Sequence, residues 1–364
     1  MAGSDDTAKR KRGQKGPREN VARRVTMTDV AKAAGCSQAT VSFVLNQTTG
    51  IKISDETRQR VIEAARALGY AAPIFAHEPV VPSLPTGGLI GFVVDQLATS
   101  PESATAIDGA RQASWDAGTV VLAAQTLSNA GMEARTIEAM TRSGVSGLIY
   151  MTIFTRKIIV PPALARLNIP VVLLNCYTDD HAFPSVVPGE AAGAQGATQH
   201  LIDQGHRRIA MIVGEPWMEA AQDRLKGYRR ALAGAGIGFD QGLVVQGNWS
   251  ATSGYTATLA LLQRTERPTA IYCQSDRMAS GCYEALKEAG LSVPGDISVI
   301  GFDDDELARH LRPPLSTSLL PHRAMGAWAV EQLETMKAEP AKRYPVTRLE
   351  CGFIERESVR RVPE

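Results

Sequence analysis

Hydrophobic residues near the start of the chain recur at helical spacing between polar breaks, which predicts three short helices. Thr26 opens a capping box at the start of the first helix, and Gly35 ends that helix. Ser37 is the N-cap candidate of the second helix. Ser54 caps the third, which carries an apolar stripe and stops at Gly69. Two short helices joined through a glycine, with a third that braces them, predict an all-α helix-turn-helix headpiece.

The second predicted helix has distinct inner and outer faces. Val41, Val44 and Leu45 are expected to face inward. The residues expected to project outward at the start of this helix are Gln38, Ala39, Ser42 and Phe43. In a helix-turn-helix such side chains meet base edges in the major groove, so the pattern favours DNA binding. A small helical domain without that function has similar punctuation and is the alternative.

From residue 89 onward, short apolar runs alternate with helical segments. The predicted strands are 89–94, 119–124, 147–154, 170–175, 208–213, 243–246, 270–273 and 297–302. The predicted helices are 104–117, 132–142, 193–204, 220–233, 253–262 and 277–289. This alternation indicates doubly wound parallel sheets, and the number of units predicts two subdomains rather than one sheet. Ligands bind such folds in a crevice at the carboxyl ends of the strands.

Composition and charge add the domain organisation. The 364 residues are 44% hydrophobic with a formal net charge of +1, which fits two to three globular domains. Basic residues crowd the segment 1–24, which we interpret as a disordered arm that is either a solvated tail or a contact to DNA phosphates. The proline-rich segment 71–88 is predicted to link the headpiece, 25–70, to a core, 89–358, that precedes a short tail, 359–364. The near-zero net charge is therefore a sum of unlike parts.

Several classes of protein are disfavoured by missing patterns. The five cysteines contain no CxxC pair, which speaks against a disulfide framework or a zinc site and favours buried thiols. No catalytic HExxH, GxSxG or Walker pattern occurs, and the glycines at 193–196 lie inside a predicted helix. We therefore expect neither catalysis nor a cofactor or metal. The polar N-terminus and the lack of a 20-residue apolar stretch predict a cytoplasmic protein that does not contact the membrane.

The motifs together resemble one known family. Residues 25–46, 54–61 and 68–70 are similar to the headpiece of the lac repressor and galactose repressor family, and residues 205–210, 224–232, 293–304 and 313–317 resemble its core. The resemblance implies a periplasmic-binding-protein-like core and a homodimer that binds a pseudo-palindromic operator under the control of a small effector. A carbohydrate- or nucleoside-binding sensor with little sequence-specific DNA binding is the alternative. The resemblance leaves open whether the effector is an inducer or a corepressor. No leucine heptads follow the core, which speaks against a tetramerising coiled coil.

The resemblance also implies which headpiece residues contact DNA. Gln38 and Ala39 occupy base-reading positions, where glutamine can bond adenine and alanine can contact a thymine methyl. The expected phosphate contacts, together with the helix start at Ser37, are Thr26, Thr40, Ser42 and Asn46. Phe43 departs from the family, and we expect it to read a thymine methyl or a pyrimidine edge. The linker lacks the family's wedging leucine, so either Ile74 or Phe75 replaces it or no hinge helix forms.

Candidate effector-binding residues follow the ends of predicted strands. Arg224 suits bidentate binding of hydroxyls or a carboxylate, although a salt bridge is the alternative. Asp303 can accept two hydroxyls, and Trp249 can stack on a sugar face or simply pack in the core. The remaining candidates match the family's pocket positions: Asn175, Ser275, Met151 and His322. This set fits a polar ligand such as a sugar, a sugar phosphate, a nucleoside or a purine, with a sugar favoured.

Overall fold

The computed structural model describes residues 25–46, 53–70, 88–98, 101–338 and 343–362. The chain divides into two compact units, residues 1–83 and 84–364. The predicted arm 1–24, most of the turn 46–53 and the linker, including Ile74 and Phe75, lie outside the described residues. In the part of the chain that the structure describes, no helix is both long and apolar enough to cross a membrane.

The first unit contains the three predicted helices: α1 (Met27–Ala34), α2 (Gln38–Leu45) and α3 (Asp55–Ala67). The capping box is confirmed, since the backbone N–H of Thr26 donates to Asp29 Oδ2 at 2.8 Å and the Asp29 N–H donates back to Thr26 Oγ1. Gly35 ends α1 with a φ of +64°, a left-handed conformation that glycine adopts without strain. Local sequence signals therefore set these helix boundaries.

A small apolar core holds the three helices together. Val41, Val44 and Leu45 are buried as predicted, and they pack against Val30 and Val61. Gln38 and Ala39 are exposed at the start of α2, whereas Ser42 and Phe43 are half-buried. Leu68 lies past the end of α3 with 38% of its surface exposed, so it does not extend the apolar face of this helix.

The second unit contains two subdomains, each built on one sheet. Within the described residues the N-terminal subdomain has a six-stranded parallel sheet in the order β11-β5-β4-β3-β1-β2. Its strands are β1 (Leu89–Val94), β2 (Val120–Gln125), β3 (Val145–Lys157), β4 (Val171–Tyr177), β5 (Ser185–Pro188) and β11 (Val346–Leu349). The helices that flank it are α4 (Glu102–Ser114), α5 (Ala130–Arg142), α6 (Pro162–Ala165) and α12 (His322–Ala338).

The C-terminal subdomain repeats this architecture. Among the described residues its sheet also has six strands, in the order β12-β10-β9-β8-β6-β7, with only β12 antiparallel. The strands are β6 (Ile209–Val213), β7 (Val244–Gln246), β8 (Ala270–Cys273), β9 (Ser298–Asp303), β10 (Ser316–Leu319) and β12 (Phe353–Ile354). The helices are α7 (Glu190–Asp203), α8 (Glu219–Gly234), α9 (Ala251–Leu262), α10 (Asp276–Glu288) and α11 (Glu306–His310).

The chain passes between the subdomains at three places within the described residues. These crossovers lie between β5 and α7, between β10 and α12, and between β11 and β12. After the second crossover, α12 packs closely on α4, because Gly326 faces the backbone of Ala106 where a Cβ would lie only 1.9 Å from the carbonyl oxygen. The two subdomains are thus connected by three chain segments.

The predicted fold class is confirmed: a helical headpiece is followed in the chain by two doubly wound subdomains. Each predicted strand is present, but β3 extends to Lys157, three residues beyond its predicted end. The sequence pattern did not indicate β5, β10, β11, β12, α11 or the long helix α12. Four of the cysteines are buried as expected, and Cys36 is half-buried.

Candidate functional site

A cavity of about 330 Å³ lies between the two subdomains, at the carboxyl ends of their strands. Both subdomains and two of the crossovers contribute to its walls. Predicted residues that line it are Arg224, Asp303, Trp249, Asn175, Ser275 and His322. Further lining residues that carry charge are Glu102, Glu190, Glu215 and Arg277.

Arg224 on α8 is buried and is held by other protein groups. Its Nε donates to Glu190 Oε2 at 2.6 Å and its Nη2 donates to Glu190 Oε1 at 3.2 Å. Nη1 donates to the carbonyl of Gln274 and lies 3.4 Å from Asp303 Oδ1. The guanidinium also lies 3.7 Å from the ring centre of Phe302. The predicted bidentate geometry is therefore present, but a carboxylate of the chain itself occupies the fork.

Burial and charge act in opposite directions on this arginine. Desolvation lowers the pKa of Arg224, but the adjacent Glu190 and Asp303 carboxylates more than offset it, so the pKa is raised above its usual value. Arg224 is therefore a permanent cation, and the buried pair with Glu190 leaves little of its charge for a ligand.

Asp303 ends β9 and points toward the cavity. Its backbone has a φ of +124° and the next residue, Asp304, has a φ of +54°, which turns the chain sharply at the strand end. Asp276 braces this turn by accepting the Asp305 N–H at 2.9 Å. Burial raises the pKa of Asp303, and the carboxylates of Asp276 and Glu102 raise it further, while Arg224 opposes them. The positive charge near the Asp303 carboxylate therefore does not balance the negative charge around it.

Asp304, the residue after Asp303, has a buried side chain that pairs with two arginines. Its side chain is 4% exposed, and it accepts hydrogen bonds from Arg356 and, at 3.1 Å, from Arg309. The sharp turn after β9 points Asp303 and Asp304 in different directions, so only the first lines the cavity.

Trp249 lies at the boundary between the apolar core and the cavity. Its indole packs on the apolar core of the C-terminal subdomain and also lines the cavity. It lies directly over Gly214, where a Cβ would come within 2.0 Å of the ring. The indole Nε1 is buried without a hydrogen-bond partner among the described residues. Because a buried donor is stabilised by finding an acceptor, this N–H is well suited to a ligand oxygen.

His322 lies on the second crossover, at the start of α12. The side chain is 3% exposed, and its Nε2 also lacks a partner in the described part of the chain. Burial lowers the pKa of His322 to about 4, with a smaller contribution from the charge of Arg224. The imidazole is therefore neutral at physiological pH, and its unpartnered nitrogen lines the cavity without a charge.

Three predicted residues have roles that the sequence did not indicate. The amide of Asn175 donates to the carbonyls of Thr152 and Ile153 and accepts from Thr155, so it braces the extended end of β3. Ser275 lines the cavity but serves as the N-cap of α10. Met151 does not line the cavity, because it is fully buried in the apolar core beneath β3.

The rim of the cavity is closed by contacts between the subdomains. Glu219, the first residue of α8, accepts hydrogen bonds from the Lys157 N–H at 3.1 Å and from the Tyr177 hydroxyl at 3.0 Å. Burial raises the pKa of Tyr177, and the bond to Glu219 raises it further. Beside them Phe154 and Trp217 meet edge-to-face with ring centres 5.9 Å apart. These contacts define the closed arrangement of the cleft.

The headpiece presents a second candidate surface. Ser37 caps α2, and its hydroxyl lies 2.9 Å from that of Thr40, while Asn46 donates to Ser42 at 3.1 Å. The hydroxyl of Thr26 is bound to Asp29 as a cap. These polar side chains therefore stabilise the ends of the helices. The exposed residues Gln38 and Ala39 lie beside them at the start of α2.

Comparisons with known proteins agree for both units. Residues 26–72 match the model of bacterial regulatory proteins of the lacI family, and residues 198–359 match a periplasmic-binding-protein-like domain. The chain is 32% identical to the ribose operon repressor of Haemophilus influenzae, covering 92% of this chain and 98% of that protein. It is 30% identical to the transcriptional repressor PurR of Photobacterium profundum, over 85% of this chain and 90% of that one.

Solved structures give the same result. The transcriptional regulator CelR in complex with cellobiose has a TM-score of 0.63 and 29% identity, covering 92% of this chain and all of that one. The lac repressor dimer bound to operator and an anti-inducer has a TM-score of 0.62 and 28% identity, covering 93% of this chain and all of that one.

Proposed function

The chain belongs to the lacI family of bacterial regulatory proteins, whose members are transcriptional regulators rather than enzymes, and from this premise we propose that it is a repressor controlled by a small polar effector. In this proposal a homodimer presents two headpieces to a pseudo-palindromic operator in the cytoplasm. The observation that carries it is the combination, in one chain, of an exposed α2 start and a polar cleft between two hinged subdomains.

The DNA-binding part rests on the exposed end of α2. Gln38 and Ala39 are free of the headpiece core, and the amide of Gln38 can bond the N6 and N7 atoms of adenine together. Phe43 is half-buried beside them and contributes an apolar contact to a thymine methyl or a pyrimidine edge. Ser37, Thr40 and Asn46 lie at the helix ends, where phosphate contacts position the helix in the groove.

Control by the effector rests on where the cavity residues lie in the chain. Glu190 and His322 belong to crossover segments, and Glu190 holds Arg224 of the C-terminal subdomain. A ligand bound to Asp303 and Trp249 would occupy the same cavity as Glu190 and His322, which lie where the chain crosses between the subdomains. A ligand that binds the closed arrangement more tightly than the open one shifts the equilibrium between them.

Dimerisation is supported by an apolar surface on the N-terminal subdomain. The strand β2 lies at the edge of its sheet, and four exposed apolar side chains flank it: Trp115, Val120, Leu127 and Met132. An uncovered edge strand among apolar side chains favours pairing with another chain. In a symmetric dimer, the same surface of a second copy of the chain would cover both the strand edge and the apolar side chains.

The test is a selection of binding sites from random double-stranded DNA with the full-length protein. We expect enrichment of one pseudo-palindromic sequence, because two identical headpieces read two half-sites. If no sequence is enriched while small molecules still stabilise the core, the chain is instead a sensor without sequence-specific DNA binding. If neither occurs, the proposal fails entirely.

A further inference from the structure

The charges that line the cleft are unbalanced. Four carboxylates, from Glu102, Glu190, Glu215 and Asp303, face two guanidinium groups, from Arg224 and Arg277. One of those cations, Arg224, is already paired with Glu190 through its Nε and Nη2. Arg277 is half-exposed, with Asp305 lying 3.9 Å away. The inner part of the cleft is therefore short of positive charge.

Two of these carboxylates come from opposite subdomains. Glu102 begins α4 of the N-terminal subdomain, and its Oε2 is buried without a hydrogen-bond partner among the described residues. Asp303 ends β9 of the C-terminal subdomain and keeps one oxygen free of Arg224. The negative charge of Glu102 reaches Asp303, since it raises the pKa of that carboxyl. Both groups gain from a positively charged donor placed between them.

Two unpartnered nitrogen atoms line the same cavity. The side chain of His322 is only 3% exposed. Neither its Nε2 nor the Nε1 of Trp249 has a hydrogen-bond partner in the described part of the chain. The indole N–H can only donate, and the neutral imidazole can donate or accept, so a hydroxyl can bond to both. The cleft thus combines acceptors that lack a cation with neutral groups suited to hydroxyls, beside apolar walls from Phe154 and Leu320.

We propose that the effector carries a protonated amine together with hydroxyl groups, as an amino sugar does, and that the amine bridges Glu102 and Asp303 across the cleft. This proposal rests on the proposed function and narrows its ligand class. An ammonium between the two carboxylates draws the subdomains together. A phosphorylated or carboxylated ligand instead places a negative charge among carboxylates, with the one buried cation already occupied.

The experiment uses matched ligands on the full chain. Glucose, galactose and mannose are each compared with the 2-amino, N-acetylamino and 6-phosphate derivative, by thermal shift and then by calorimetry, with putrescine as a non-sugar amine. We expect an amine-bearing compound to bind at least tenfold more tightly than its neutral and N-acetylated counterparts, and the phosphates to bind most weakly. Equal or tighter binding of the neutral, acetylated or phosphorylated form overturns the proposal.

Variants locate the amine within the cleft. Glu102→Gln keeps the size of the side chain and removes its charge, so it should weaken amine binding at least tenfold and change binding of the neutral parent less than twofold. Glu306→Gln is the matched control, because that side chain is 87% exposed on α11. An equal loss for both ligands, or no loss for either, overturns the bridging role.

Failure of the amine proposal can be distinguished from failure of the proposed function. If a neutral compound binds best and the protein still selects an operator sequence, the amine proposal fails while the regulator remains. If no compound binds and an operator is still selected, the amine proposal fails as well. Loss of both ligand binding and sequence selection overturns the proposed function itself.

Discussion

The buried pair between Arg224 and Glu190 offers a quantitative prediction about the core. The two side chains are 3% and 5% exposed, and two N–O contacts of 2.6 and 3.2 Å join them. Glu190→Gln preserves the volume of the side chain and one acceptor, but it removes the charge and turns an amide N–H₂ toward the guanidinium. The variant therefore leaves Arg224 buried with only Asp303, at 3.4 Å, as an anionic neighbour.

The expected size of the effect follows from burial. Removing one partner of a buried ion pair costs about 3–5 kcal/mol, because the remaining charge stays away from water without compensation. Asp303 partly compensates, so the lower half of this range applies, and we expect a loss of about 3 kcal/mol in the free energy of unfolding. An exposed pair contributes less than about 1 kcal/mol.

The assay is urea unfolding followed by tryptophan fluorescence. All four tryptophans, Trp115, Trp217, Trp249 and Trp328, lie in the second unit, so the signal reports on the core and not on the headpiece. The matched control is Glu334→Gln, which removes the charge from an exposed pair with Lys337. Equal stability losses in Glu190→Gln and in the control would refute the reasoning about the buried pair.

Three further predictions concern pH, DNA and assembly. Because burial places the pKa of His322 near 4 instead of 6.5, its contribution to stability is full above pH 6.5 and is lost as the pH falls to 4. In urea unfolding, His322→Gln should remove about 3 kcal/mol of that decline. Parallel plots of unfolding free energy against pH for the variant and the unchanged protein would contradict this. Gln38→Ala should weaken operator binding by about 1–3 kcal/mol in fluorescence anisotropy and relax selection at one base pair, whereas Gln59→Ala on α3 should change neither; an unaltered selected sequence would refute the base-reading role. Leu127→Asp should weaken the dimer at least tenfold in analytical ultracentrifugation, because the dimer would bury the new charge. The control is Ile159→Asp, which replaces another exposed apolar residue (96% exposed) at a site that follows β3; identical dissociation of both variants would exclude the β2 surface.

The headpiece could be predicted closely because its signals are local. The caps at Thr26, Ser37 and Ser54 and the glycine at Gly35 act within four residues of themselves, so a single sequence contains the whole signal. The long helix α12 was missed for the opposite reason. Its packing depends on Gly326 and other small residues that allow α4 to approach closely, and such residues form no strong apolar stripe.

The cavity was predicted in part, and its errors have a geometric cause. Met151 was suggested by the family resemblance, but its side chain lies in the apolar core, whereas Ile153 and Thr155, further along β3, line the cavity. Glu190 was missed because β5 was not recognised, so the chain was not expected to cross between the subdomains there. Glu102 was missed because it lies eight residues past the end of β1, at the start of α4, and not at a strand end.

The central claim is that occupancy of the cleft and affinity for DNA are coupled. The most direct measurement is the dissociation constant of the full chain for its selected operator, with and without the amino sugar that gives the largest thermal shift, together with the constant for that sugar with and without operator. We predict a change of at least fivefold in the first constant and an equal change in the second, because coupling between two sites is reciprocal. Operator affinity that stays the same when the cleft is saturated would contradict the account.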